Sequence, residues 1–99
     1  MKITINSVHF KTDKKLEAFI KDKLTKLGVL YDGILQGDVS LKVENTDKPE
    51  NKVAEIKLTV PGSELYAKKQ CETFEESTDM ALDALKKQLI KHKEKIRRK

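Results

Sequence analysis

The sequence contains no tryptophan, and its 99 residues include only three Phe and two Tyr. A surface that reads single-stranded nucleic acid by stacking bases on aromatic rings is therefore short of material. The one cysteine, Cys71, excludes an internal disulfide, and a secreted chain of this size usually carries several. No apolar run approaches the ~18 residues that a membrane span needs. Residues 1–10 lack the charged head and continuous apolar stretch of a secretion signal. These absences predict a soluble cytoplasmic protein with no membrane partner. The length accommodates one domain over 1–99 and no second core. Catalytic signatures are missing as well. There is no G-x-x-x-x-G-K, H-E-x-x-H, C-x-x-C or G-x-S-x-G, and only two His. His92 reads as a partly buried helix residue and Cys71 as a small structural thiol. Neither an enzyme nor a metal or cofactor site is predicted.

Charge is plentiful but segregated. The total is +5, from 21 basic and 16 acidic residues. Residues 1–28 hold seven Lys against three acids, residues 29–85 hold six Lys against twelve, and residues 86–99 hold eight Lys and Arg against Glu94 alone. Two basic ends thus flank an acidic middle. A basic end segment of this density points to an anionic partner.

Periodicity gives the elements. Residues 2–10 alternate as a strand, weakening at Ser7-Val8, which leaves room for a bulge or an early end. Thr12 or Asp13 caps a helix over 13–27, whose apolar stripe is Leu16, Phe19, Ile20, Leu24 and Leu27. Gly28 reads as the residue that stops it, with Lys26 favourably near its C-terminal end. Three strands are predicted at 38–44, 52–60 and 64–70, with Pro61-Gly62-Ser63 as a tight turn between the last two. Thr73 and Glu76 form a capping box for a helix over 73–95. Its apolar row is Phe74, Thr78, Ala81, Leu85, Leu89, His92 and Ile96. The order β-α-β-β-β-α predicts an α+β two-layer sandwich, a four-stranded sheet with two helices on one face. A right-handed crossover makes the first two strands parallel. The plan resembles a double-stranded-RNA-binding domain with an extra first strand.

On the second helix Lys87, Lys91, Lys95 and Arg98 follow one row, and Lys86, Lys93 and Arg97 follow a second row on one flank. A helix kept basic only for solubility would mix signs, and like charges at this spacing repel. Lys23 and Lys26 of the first helix are predicted to face the groove between the helices, with Lys87 and Lys91 reaching the same region. The open sheet face offers Tyr66 alone for stacking. Backbone and shape recognition of structured RNA by the helical side is the better fit.

Several stretches together resemble the short ribosome hibernation factors, the hibernation-promoting factor and ribosome-associated inhibitor A family. They are Ile3-Thr4-Ile5 with His9 and Thr12, Lys23-Leu24-x-Lys26-Leu27, Tyr31 after the first helix, Val39-x-Leu41-x-Val43 and Glu64-Leu65-Tyr66-Ala67. The last helix adds Asp79, Leu85-x-x-Gln88-Leu89 and Lys91-His92-Lys93-x-Lys95. The resemblance implies a translation regulator, active under stress or in stationary phase. It would bind the small ribosomal subunit in the decoding channel, contact 16S rRNA, block the mRNA and tRNA sites and keep ribosomes in hibernation. It places Lys23, Lys26, Lys87, Lys91, Lys93 and Lys95 on rRNA phosphates, and the two basic rows add Lys86, Arg97 and Arg98. Tyr66 stands where the family has His in its E-x-H-A element, and the Tyr leading into the family's last helix has no counterpart here. The C-terminal dimerisation domain of long-form members has no counterpart in the sequence, so a second factor would have to help hold any ribosome dimers. The free protein is expected to be a monomer. Two rival readings remain: a general binder of structured or double-stranded RNA with no ribosome role, and a protein whose basic helix docks on a membrane or another helix.

Overall fold

The computed structural model describes residues 1–8, 10–31 and 33–97, with side chains inside the last helix described through Glu94. The elements are β1 (Lys2–Val8), α1 (Lys14–Leu30), β2 (Gln36–Val43), β3 (Lys52–Val60), β4 (Ser63–Cys71) and α2 (Phe74–Arg97). One sheet runs β1-β2-β3-β4. β1 and β2 are parallel, as the crossover through α1 requires, and the other two pairs are antiparallel. Alternation sends Ile3, Ile5, Val39, Leu41, Ala54, Ile56, Leu58, Leu65 and Ala67 to one face, where they meet Leu16, Ile20, Leu24 and Leu27 of α1 and Phe74, Ala81, Leu85 and Leu89 of α2. Both helices thus cover the same side of the sheet, and the opposite side is open.

Local chemistry sets most boundaries. Asp13 is the N-cap of α1, its carboxylate accepting from the Leu16 amide at 2.7 Å. Thr73 Oγ1 accepts from the Glu76 amide at 3.1 Å. Ser77 is fully buried, and its hydroxyl donates to the Lys52 carbonyl at 2.6 Å, pinning the start of α2 to the start of β3. Pro61-Gly62 turns β3 into β4 with Gly62 at φ +76°, where a side chain would be strained.

Four expectations are corrected. β1 spans Lys2–Val8 rather than 2–10, taking the early end that the weakened alternation allows, and Phe10 leaves the strand to stack on Phe74 with ring centroids 5.0 Å apart. Gly28 does not stop α1, which runs on to Leu30 and is capped at Tyr31. The missing side chain serves close approach instead, since a Cβ at Gly28 would stand 2.9 Å from the Met1 methyl. Lys26 is consequently not in the last turn, which holds no basic residue. β2 starts at Gln36 and ends at Val43, with Gly37 as an inward position opposite Ile3.

Candidate nucleic-acid interface

The two helices lie side by side and leave a groove of about 760 Å³ between them. Lys23 and Lys26 come from α1, Lys86 and Lys87 from α2, and Lys69 from β4 beneath. Five lysines from three elements thus line one open channel. Lys23 lays its stem against the core edge, with the ammonium 5.4 Å from the Phe19 ring centroid. Lys93 lines the continuation of the groove toward the end of α1. Lys91 is exposed on α2 but is not part of the groove wall. The expectation that it shares the groove with Lys87 is therefore corrected: Lys86, Lys87 and Lys93 line the groove and its continuation, and Lys91 does not. The side chains of Lys95 and Arg97 lie outside the described residues, as do His9 and Arg98 altogether.

The groove is not uniformly basic. Asp79 and Asp83 also line it. Lys23 Nζ stands 3.4 Å from Asp79 and bridges the helices, Lys87 Nζ stands 3.9 Å from Asp83, and Lys26 Nζ stands 3.1 Å from Asp22. All three pairs are solvent-exposed. Such pairs contribute about 0–1 kcal/mol, so water or a phosphate exchanges with the carboxylate at little cost. Lys69, Lys86, Lys91 and Lys93 have no ion-pair partner among the described residues.

Two features of the groove lie outside the predicted basic rows. Lys69 follows the inward phase of β4 after Leu65 and Ala67, so alternation alone signals that it points to the helical side. Leu30, Met80 and Ile90 are exposed apolar side chains on the groove wall. Ile90 lies outside the apolar row of α2, and Leu30 lies beyond Gly28, where the sequence predicts the helix to have stopped.

The remaining candidates settle into structural places. Cys71 is buried, its thiol donating to Met80 Sδ at 3.3 Å, and burial pushes its pKa up. That keeps it protonated and unreactive near neutral pH. His92 is half-buried on α2, its Nε2 enclosed without a hydrogen-bond partner among the described residues. On the open sheet face Tyr66 donates to Glu55 at 3.1 Å, and partial desolvation followed by that bond raises its pKa. Among the described residues no group of three or more His, Cys, Asp or Glu is placed to hold a metal ion, and no helix is long and apolar enough to cross a membrane.

Comparison with known proteins meets this geometry from outside. A ribosome hibernation promoting factor of Pseudomonas putida is 34% identical over 95 residues, covering 96% of this chain and 89% of that protein. The one from Escherichia coli K12 is 30% identical over 97 residues, covering 98% of each. Among solved structures, a ribosomal subunit interface protein from Coxiella burnetii superposes with a TM-score of 0.83 at 19% identity, over 94% of this chain and 98% of that one. The N-terminal domain of Thermus thermophilus Protein Y superposes at 0.76 and 22% identity, over 89% and 94%. These two show the shared fold. The family model described as sigma 54 modulation protein / S30EA ribosomal protein matches residues 3–97, and the chain belongs to that family.

Proposed function

We propose that this chain is a non-enzymatic ribosome hibernation factor of the cytoplasm, which binds the small subunit in its decoding channel and holds 16S rRNA in the inter-helix groove. Occupation of that channel excludes mRNA and tRNA and keeps the ribosome idle. The carrying observation is the convergence of Lys23, Lys26, Lys69, Lys86 and Lys87 on one channel from three elements. Lys91 and Lys93 extend the basic surface along α2, and Lys95, Arg97 and Arg98 continue it in sequence. An A-form helix or a folded RNA offers phosphates at such a surface, and recognition is by shape and charge. The layer plan, two helices on one face of a sheet, parallels that of a double-stranded-RNA-binding domain and suits the same mode.

The test is sedimentation of the chain with isolated small subunits through sucrose gradients at several salt concentrations. With about four to six phosphates neutralised, log affinity falls against log salt with a slope of roughly −3 to −5. A plain RNA duplex is the competitor. Displacement from the subunit only at large excess supports the ribosomal reading, and displacement at equal concentration overturns it in favour of a general RNA binder.

A further inference from the structure

The groove does not end at its lysines. Where α1 runs past Gly28, it opens into an apolar slot of about 340 Å³, within the lower range of small-ligand sites. Leu30 is 66% exposed on one side and Ile90 59% exposed on the other, with Tyr31 and Leu89 completing the lining and Lys86 and Lys93 at the rim. Large aliphatic side chains held in water on two facing helices do nothing for the core, and their removal from water by a partner would be favourable.

The rim and the connection choose the occupant. A second copy of the chain would set Lys86 and Lys93 against their own kind on a protein already at +5, and like-charge juxtaposition disfavours it. A neutral apolar segment would leave both ammonium groups without counter-charge. The slot shares Leu27, Leu30 and Lys86 with the basic groove, so a polyanion lying in the groove passes its mouth. RNA-binding proteins commonly take bases splayed out of loops and bulges. We infer that the slot between Leu30 and Ile90 takes one unstacked nucleobase of the bound RNA, while Lys86 and Lys93 hold the phosphates flanking it. This rests on the RNA reading of the groove and adds to it a base-sized, salt-independent contact.

That independence from salt is what the experiment reads. Affinity for isolated small subunits is measured against salt for the wild type, for Leu30→Ser/Ile90→Ser and for Lys86→Ala/Lys93→Ala. Both apolar positions are exposed, so the serine variant keeps its fold, and thermal unfolding checks this. Loss of the apolar area that Leu30 and Ile90 would bury against a base, a few tens of Å², weakens binding about five- to tenfold. The serine variant is expected to lie below the wild type by that factor at every salt concentration, with an unchanged slope. The lysine variant is expected to lose about two units of slope instead. A serine variant that binds like the wild type overturns the inference. A photoreactive benzophenone side chain at position 90 supplies the second readout: crosslinking to RNA supports the slot, and crosslinking to a ribosomal protein overturns it. Absence of subunit binding by the wild type itself would instead remove the functional reading on which the slot depends.

Discussion

On the open face of the sheet, Lys42 lies 3.3 Å from Glu44 and 3.8 Å from Glu55, Lys68 lies 3.7 Å from Glu55, and Lys57 lies 3.3 Å from Glu64. On the helical side, Lys86, Lys91 and Lys93 have no such partner among the described residues, and the pairs of Lys23, Lys26 and Lys87 are exposed. The sheet interleaves signs on a flat surface, where its charges cancel within a few ångströms. The helical side sorts its signs along α2, acids at 75–83 and bases from Lys86 on, and places several cations along a concave wall. A field that extends into solvent, and so steers a polyanion, needs the second arrangement. Counting lysines does not separate the two surfaces; their neighbours and the local shape do.

The largest effect expected from this contrast is a loss of binding on charge reversal at the helices. Lys87→Glu with Lys91→Glu removes one cation of the groove wall and one exposed cation of the same helix, and puts anions in their place. Small-subunit binding by sedimentation is expected to fall more than about a hundredfold, since each lost phosphate contact also removes its share of counterion release. The same reversal on the sheet, Lys57→Glu with Lys68→Glu, changes net charge equally and is expected to move affinity less than about threefold, the change due to long-range charge alone. Equal losses from the two variants would show that binding responds to net charge and not to the groove.

A smaller effect, of opposite sign, follows from the acids on the groove wall. Asp79 and Asp83 compete with phosphate for Lys23 and Lys87. Asp79→Asn with Asp83→Asn is expected to tighten RNA binding about three- to tenfold at low salt, and less at high salt as screening rises. Both carboxylates are exposed and each is paired with a lysine, Asp79 with Lys23 and Asp83 with Lys87, in pairs that contribute a fraction of a kcal/mol. The variant is therefore expected to lose about 0.5 kcal/mol of stability while it gains affinity, measured by urea unfolding beside the binding isotherm. Unchanged affinity would mean that these acids do not oppose the bound RNA.

The contrast explains what could be read ahead of the coordinates. Leu16, Ile20, Leu24 and Leu27 repeat with the helix period, and Ala54, Ile56, Leu58 and Val60 alternate, so each segment announces which face it buries. The order of elements then leaves little freedom for a two-layer sandwich. Boundaries set by single residues were less legible. Gly28 has the chemistry of a helix stop, yet its bare backbone is used by the Met1 side chain from the far end of the chain. No local pattern encodes that contact. The site was legible to the extent that it sits on one helix. Lys86 and Lys87 follow from the charge run, but Lys69 enters the groove only because β4 pairs with β3 and runs beneath α2, and the acids opposite Lys23 come from the other helix. Pairing across elements is a tertiary fact, and it decides which cations are available.

The smallest expected effect concerns Glu55, the hub of the sheet face. Its carboxylate is reached by Lys42, Lys68 and the Tyr66 hydroxyl, and its side chain is only 28% exposed. Glu55→Gln keeps the size and removes the charge. Partly exposed networks of this kind contribute about 0.5–1 kcal/mol, which for a chain of this length lowers the midpoint of thermal unfolding by about 2–6 °C. The same substitution leaves Lys42 with Glu44 and leaves Lys68 without a carboxylate, so the sheet acquires one unpaired cation of the kind that distinguishes the helical side. If charge alone made an RNA surface, the variant would gain a second binding mode, visible as binding beyond one chain per subunit. Stoichiometry is expected to stay at one, because Lys68 alone, among sheet lysines that keep Glu44 and Glu64 as partners, does not form a converging basic surface.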